Sequence, residues 1–365
     1  MKKILFVAPT DGNGGIQTLV RNYIRDFNFP GYSLTHIGVS HRRSTKERNN
    51  PVLRAYDGLL DLFEVYAQVK KEVGKNQFDI FHTTTSGSIG TLRDFFLGRL
   101  CKRHGIKTIL HCHYGCIPQD YSKGGVLGLL LKKTMRLYDN IWVLDNKTID
   151  CLHNDPIMKD KTKLVPNPIQ VPTTCDFGTK SYTKVAFVGN MHRTKGIIEL
   201  VEAVSKLDNT TLHIIGPNYT NSQEYILQNY ASLIDKRIFI YGSLPNDKAM
   251  KLLAEMDILA LPSYYPWEAF PISILEATSR GKMVISTNRA AIPDMLTDLD
   301  GNKCGCIIDE RSPEQICDAI KWCQNHKEEA DAMCRKAYEK VKSSYDTSII
   351  YKLYLDLYDQ LIMKK

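Results

Sequence analysis

Short runs of consecutive apolar, often β-branched residues recur along the chain, each followed by a stretch whose apolar positions fall three and four apart. The runs lie at 3–8, 34–39, 78–82, 107–111 and 140–144, then at 184–188, 211–215, 238–241, 258–261 and 283–286. Runs this short read as strands buried on both faces, whereas 16–27, 126–137, 196–206 and 247–256 carry the spacing of amphipathic helices. Strands alternating with helices predict an α/β protein whose parallel sheets are covered on both sides. The alternation is interrupted after Val165, where three prolines fall within 166–172 and both periodicities stop. The pattern therefore predicts two doubly wound, Rossmann-like domains facing each other across a deep cleft. They span 1–165 and 183–344, with a linker at 166–182 and a closing helix at 345–365. That helix has Ile349, Ile350, Leu353, Leu357 and Leu361 at helical spacing. In such sheets ligands bind beyond the carboxyl ends of the strands, so the loops after strands are where chemistry is sought.

The chain has 365 residues, 43% of them apolar and 24% charged, which sets aside disorder, fibres and small disulfide-stapled modules. The longest nearly apolar stretch, 126–131, falls well short of the roughly 18 to 20 residues that cross a bilayer. Neither a signal peptide nor a transmembrane helix is expected, and a cytoplasmic protein with reduced thiols is. The ten cysteines show no C-x2-C spacing. His111, Cys112, His113 and Cys116 could supply soft ligands, but they follow a buried strand, where tetrahedral closure is awkward, so no metal is expected. Charge is uneven: residues 1–165 hold 25 Lys and Arg against 15 Asp and Glu, and 166–365 hold 23 against 25. A basic first half points to an anionic partner, either a membrane surface, a nucleic acid or a phosphorylated substrate. Nucleic acid is set aside, because the basic half lacks interleaved aromatics and any recognisable binding module.

Three segments carry candidate chemistry. After the first strand, Gly12, Gly14 and Gly15 open a helix, letting backbone approach a ligand while free N–H groups face an anion. This is not a dinucleotide fingerprint, since Gln17 stands at the third glycine position and Val39 and Ser40 end the second strand without an acid. After the strand at 184–188, Gly189 leads through Arg193 and Lys195 to Gly196 at a helix start, a site suited to a diphosphate. Further on, Glu268 and Glu276 are separated by seven residues, with Pro271 suited to the first position of the intervening helix. One carboxylate would sit in the loop and the other on the helix, either side of exposed backbone N–H groups at Ile272, Ser273 and Ile274. Carboxylates accept from sugar hydroxyls, and N–H groups bind phosphates. Asp298-Leu-Asp300 has the spacing of a divalent-cation site but lies in a turn-like segment and is read as a solvated loop.

With these motifs the whole chain resembles the family 4 retaining glycosyltransferases of the GT-B fold. The resemblance rests on the Glu268 to Glu276 segment, on Gly14-Gly15, on Phe187-Val-Gly189 with Lys195-Gly196, on Ile215-Gly216-Pro217, and on Tyr241-Gly242 with Met256-Asp257. It implies a metal-independent enzyme without cofactor, whose first domain binds the acceptor and whose second binds a nucleotide sugar, with the closing helix crossing back to the first domain. Residue by residue, it implies that Glu268 holds donor-sugar hydroxyls and Glu276 the ribose, with Gly189, Gly242 and the Ile272 to Ile274 backbone at the donor. Lys195 binds the diphosphate, approached by Gly14 and Gly15, and His113 touches the donor sugar. Two departures stand out. Asn190 replaces the arginine usual after the glycine, which leaves Arg193 as the second diphosphate cation, and Ala290-Ala291 replaces a glycine pair.

The function expected is transfer of a sugar, from a UDP-sugar by default, to a hydroxyl of a glycan or lipid-linked acceptor in bacterial capsule or O-antigen synthesis. A nucleotide-sugar hydrolase or epimerase, or a non-catalytic sugar-binding protein, is the alternative. Within 126–137, an apolar cluster adjoins Lys132, Lys133 and Arg136, the combination of a helix lying on an anionic membrane surface. The same leucines could instead cover the sheet.

Overall fold

The computed structural model describes residues 1–12, 14–39, 51–87, 90–178 and 180–363, so Asn13 and Ser40 of the motifs above lie outside the described residues. The chain divides into two compact units, Met1–Asn167 with Tyr351–Lys365, and Pro168–Ile350. Each is built on one six-stranded sheet in which every pairing is parallel.

In the first unit the strands are β1 (Lys2–Ala8), β2 (Tyr32–Gly38), β3 (Ile80–Thr85), β4 (Lys107–Cys112), β5 (Asn140–Val143) and β6 (Thr162–Leu164). Their spatial order is β2-β1-β3-β4-β5-β6. The central strands have no solvent face: Ile4, Leu5, Ile80, Phe81, Ile109 and Ile141 are fully buried, as expected when helices cover both sides. Helix Thr347–Met363 begins in the second unit and from Tyr351 belongs to the first. It buries Tyr354, Leu357, Tyr358 and Leu361 there, and Asp359 is fixed by Lys2 Nζ at 2.7 Å and Tyr32 Oη at 2.8 Å. The leucine spacing read from sequence captures half of this face, because the tyrosines contribute the rest and Ile349 is exposed.

The second unit contains β7 (Lys184–Val188), β8 (Thr211–Ile215), β9 (Ile238–Gly242), β10 (Ile258–Leu261), β11 (Met283–Thr287) and β12 (Cys306–Ile308), in the order β12-β11-β10-β7-β8-β9. Counted from β7 as the first strand, this is the 3-2-1-4-5-6 arrangement of a doubly wound sheet. The chain leaves β7 towards β8 on one side and later returns to β10 on the other. The switch point therefore falls between β7 and β10, and a crevice opens between the loops that follow them. The segment read as a linker is integrated here. Tyr182 is fully buried, its hydroxyl donating to Asp331 at 2.5 Å, and Lys180 reaches the same carboxylate at 3.4 Å. Backbone bonds from Ile169 to Tyr345 and from Thr347 to Ile169 fasten the segment's start.

Candidate active site

The two loops that flank the switch point of the second unit are tied together before any side chain is considered. The backbone N–H of Tyr264 donates to Thr194 O at 2.8 Å, joining the loop after β10 to the turn Arg193–Lys195 after β7. Gly196, with φ 76, stands against the carbonyl of Pro262, and a Cβ there would collide with it. Hydroxyls from β11 hold the same loop, Ser286 Oγ on Leu261 O at 2.6 Å and Thr287 Oγ1 on Ser263 O at 2.5 Å. This scaffold brings Lys195 Nζ to 2.6 Å from Glu268 Oε2, and Ser263 Oγ donates to the same oxygen at 2.7 Å. Glu268 is 6% exposed, so the loop carboxylate of this motif is buried. It is buried because it is paired, and the Lys195 ammonium also rests on the Tyr265 ring, 4.9 Å from its centre.

Glu276 lies on helix Ile272–Thr278, half-buried, where Asn246 Nδ2 donates to Oε1 at 3.3 Å. Burial pushes its carboxyl up from 4.5 to about 7, against the opposing influence of Asn246 and Arg280. The helix starts without a side-chain cap. Its first turn changes one expectation: the Ile274 N–H donates to Pro271 O at 3.1 Å, so it is spent inside the turn. Only the N–H groups of Ile272 and Ser273 are left for an anion, and Pro271 is the N-cap, one place before its expected position.

Glycines line the carboxyl ends of three neighbouring strands. Gly189 follows β7, Gly216 follows β8 and Gly242 ends β9, linked by Gly189 N to Ile215 O at 2.9 Å and Gly216 N to Gly242 O at 2.8 Å. Gly216 (φ 145) is packed so closely on the Gly189 carbonyl that no Cβ would fit, while Gly189 and Gly242 have open space where a side chain would stand. Arg193 is exposed, with its backbone N–H on Thr220 Oγ1 at 3.2 Å, and Asn190 is exposed as well. Ala290 takes φ 46, so the loop after β11 keeps the left-handed turn that a glycine would make freely, at a cost of about 1 to 2 kcal/mol. A row of rings borders the Lys195 pair: Tyr219, His192, Tyr265 and Trp267, successive centroids 6.4, 5.8 and 5.6 Å apart, with Tyr219 and Trp267 exposed.

In the first unit, Gly14 is the uncapped N-cap of helix Gly15–Asp26 and accepts the Thr18 N–H at 3.1 Å. Arg21 fastens the preceding loop by donating to Thr10 O at 2.6 Å and Gly12 O at 2.8 Å. His113 follows β4, its N–H on Thr85 O at 2.8 Å and its ring 4.1 Å from His111. His82 and His111 stack at 5.6 Å, and Trp142 meets both edge-on. His82 Nδ1 meets Tyr358 Oη at 2.7 Å, and that hydroxyl meets Tyr23 Oη at 2.9 Å. Burial lowers His82 to about 3 and His113 to about 4, with His111 driven the same way. His82 Nε2, His111 Nε2, His113 Nδ1 and Trp142 Nε1 have no hydrogen-bond partner among the described residues.

Asp298 is consumed by its own turn, accepting from Asp300 N at 3.0 Å, Asn302 N at 2.7 Å and Asn302 Nδ2 at 3.0 Å. Among the described residues no three His, Cys, Asp or Glu gather as metal ligands. Ser263, Asn246, Arg21 and the aromatic row were not among the expected site residues. Ser263, Tyr265 and Trp267 stand just before Glu268, and His192 stands between Gly189 and Arg193, but Asn246, Arg21 and Tyr219 carry no mark in the sequence.

Residues 178–340 match the family described as Glycosyl transferases group 1. An uncharacterized 41.2 kDa protein in the cps region of Klebsiella pneumoniae is 23% identical over 309 residues, 81% of this chain and 83% of that protein. The putative colanic acid biosynthesis glycosyltransferase WcaL of Escherichia coli K12 is 21% identical over 202 residues, which cover 52% of this chain and 47% of that protein. Among solved structures, Anabaena Alr3699/HepE in complex with UDP-glucose superposes with a TM-score of 0.71 at 14% identity, over 99% of this chain and 100% of that one. Two parallel Rossmann-like sheets in one chain, with this likeness, define the GT-B fold class. The match to the group 1 glycosyl transferases lies within the second unit and covers less than half of the chain.

Proposed function

We propose that this chain moves a sugar, with retention at the anomeric carbon, from a nucleoside-diphosphate sugar to a hydroxyl of a glycan or lipid-linked acceptor in bacterial surface-polysaccharide synthesis. The observation that carries the reading is the Lys195–Glu268 pair held with Ser263 at the switch point of the second unit. A buried carboxylate fixed on one oxygen keeps the other for a sugar hydroxyl. A lysine immediately before Gly196, at the start of the helix Ile197–Ser205, offers its charge to a diphosphate, assisted by Arg193 and the Ile272 and Ser273 N–H groups. Glu276 is placed to accept from ribose hydroxyls. In the reaction the bond from the anomeric carbon to the β-phosphate oxygen breaks, and the acceptor oxygen bonds to the same face. The acceptor proton passes to the departing phosphate, whose charge Lys195 meets. Chemistry of this kind asks no metal or cofactor of the protein.

UDP is favoured as the nucleotide by the HepE likeness, whose structure contains UDP-glucose. The names of the Klebsiella and E. coli relatives favour surface polysaccharide as the product. The test is a thermal-shift panel of UDP, GDP and ADP, where saturation near 100 times Kd adds about 2.7 kcal/mol to stability. It is followed by transfer from the matching labelled sugar nucleotide in the presence of EDTA, with the anomer of the product read by NMR. Release of free sugar without any transfer would favour the hydrolase reading, and an inverted product would remove the retaining one.

A further inference from the structure

Helix Val126–Leu137 of the first unit divides its apolar residues between two directions. Gly128, Leu131, Thr134 and Met135 are buried, and Gly128 sits so close to the carbonyls of Asp120 and Lys123 that a Cβ there would collide with them. That face accounts for core packing. Val126, Leu127 and Leu129 are not used by it, at 82%, 63% and 57% exposure. Scattered exposed leucines are ordinary on a protein surface, but three large aliphatic side chains within four residues make a patch.

Two acids adjoin the patch, Asp120 just before the segment that carries it and Asp155, which is paired with Arg136. From Tyr121 to Tyr138 there is no acidic residue, and the basic residues are Lys123, Lys132, Lys133 and Arg136. They are not equivalent. Arg136 is held by Asp155 at 2.8 Å and Lys132 lies over the Tyr121 ring at 5.1 Å, whereas Lys123 and Lys133 are exposed. Lys133 is four residues after Leu129, so helical geometry sets it on the same face, while Lys123 stands just before the helix. A second copy docking through this surface would set lysines against lysines, which an isologous contact cannot avoid. An anionic surface with an apolar interior meets both halves of the patch.

We propose that Val126, Leu127 and Leu129, with Lys123 and Lys133, form a contact for an anionic lipid bilayer, the aliphatic side chains entering the acyl boundary and the ammonium groups meeting lipid phosphates. No helix among the described residues is long and apolar enough to cross a membrane, so the contact is interfacial. It stands independently of the transferase reading, because it requires neither donor nor acceptor.

The test is sedimentation of the full chain with phosphatidylcholine vesicles, with and without phosphatidylglycerol, at low and high salt, while UDP binding is followed in parallel. Binding is expected only with phosphatidylglycerol and weakens with salt. Lys123→Gln and Lys133→Gln are each expected to weaken it about fivefold. Arg136→Gln is expected to change it less, since its charge is already met. Leu127→Asp with Leu129→Asp is expected to lower binding at least about tenfold. Those two side chains are exposed, so the far-ultraviolet spectrum and UDP binding should be unchanged. Equal recovery in the supernatant with every vesicle, binding indifferent to the aspartate pair, or a dimer in light scattering that the aspartate pair dissolves would each overturn the proposal.

Discussion

Beyond the strands of the second unit, Lys195 and Glu268 form an ion pair at 2.6 Å, and Glu276, on the helix that follows, has its carboxyl raised to about 7. Along β3 and β4 of the first unit, His82 and His111 are buried against Trp142, and His113 lies beside His111; none of the three has an ion-pair partner among the described residues, and burial suppresses their protonation. Both sheets are six-stranded and parallel, yet they differ in strand order and in the electrostatics of these clusters. A buried pair retains charge because each member solvates the other. A buried imidazole without a carboxylate gives up its charge and keeps one N–H and one lone pair, enough to bond a hydroxyl but not to offset a phosphate. The charged groups of the proposed site therefore lie in the second unit, and the histidine cluster of the first presents neutral polar groups.

Breaking the pair gives the largest expected effect. Glu268→Gln should reduce transfer between about tenfold and a hundredfold, the value of one charged hydrogen bond, and Lys195→Ala should do at least as much. Because Glu268 is buried, Lys195→Ala leaves a carboxylate without its cation and should also destabilise the fold, while the double variant Lys195→Ala with Glu268→Gln should be more stable than the sum of the singles predicts. Urea unfolding of all three checks this. Additive losses would mean that the two residues do not act as a pair.

The histidine cluster gives the next effect, and its sign is opposite to that of an ion pair. In the unfolded chain these imidazoles titrate near 6.5, whereas in the fold His82 and His113 are held to about 3 and 4. The unfolded state therefore binds more protons below 6.5, and stability present above that pH is lost as pH falls towards 4. Urea midpoints at about pH 7 and pH 5 should show the loss, and His82→Gln should make it shallower. His113→Ala should lower transfer without changing UDP affinity if that ring serves the reaction as the family resemblance implies.

How much of this was legible in the sequence depends on the range of the interactions involved. Strands at 184–188, 211–215 and 258–261 matched residue for residue, because a continuous run of Val, Ile and Leu has few other uses. The strands Thr162–Leu164 and Cys306–Ile308, three residues each, are too short to leave a period. Glu268, Glu276 and Lys195 were legible as candidates from local motifs. Their pairing was not, since 73 residues separate Lys195 from Glu268 and only the strand order places β7 beside β10. The Ile274 N–H was misjudged because spacing marks where a helix begins but not whether its first turn closes early. Tyr354 and Tyr358 escaped notice because a face made partly of tyrosines does not read as apolar.

Glu276 sharpens the comparison from the other direction, as a carboxylate that burial has partly discharged. Its fold contribution is greatest when protonated, so it falls as pH rises from 4.5 to about 7. Ribose hydroxyls donating to it would favour the ionised form, so UDP affinity should increase severalfold as pH rises through about 7. Nucleotide phosphates titrate in the same range, and the discriminating measurement is therefore the difference between wild type and Glu276→Gln, whose profile should lack this component. Identical profiles by calorimetry would remove Glu276 from the ligand.

The smallest effect is expected at Asp298, the one acidic motif of the second unit that spacing alone would nominate for a metal. It stands in the turn before β12, hence at the amino end of that strand, whereas Lys195, Glu268 and the glycine row follow the carboxyl ends of theirs. Its oxygens accept from Asp300 N, Asn302 N and Asn302 Nδ2, bonds that depress its carboxyl below the usual range. A carboxylate fully engaged with the turn around it has structural work and little left for a cation. Asp298→Asn should keep two acceptor sites at most and loosen the turn, lowering the melting temperature slightly. Transfer measured below that temperature, with EDTA present, should equal wild type, and Asp300→Asn should alter neither quantity. Transfer that collapses in Asp298→Asn, or that EDTA abolishes and Mg2+ restores, would shift the charge balance of the reaction away from Lys195 and end the contrast drawn between the two ends of this sheet.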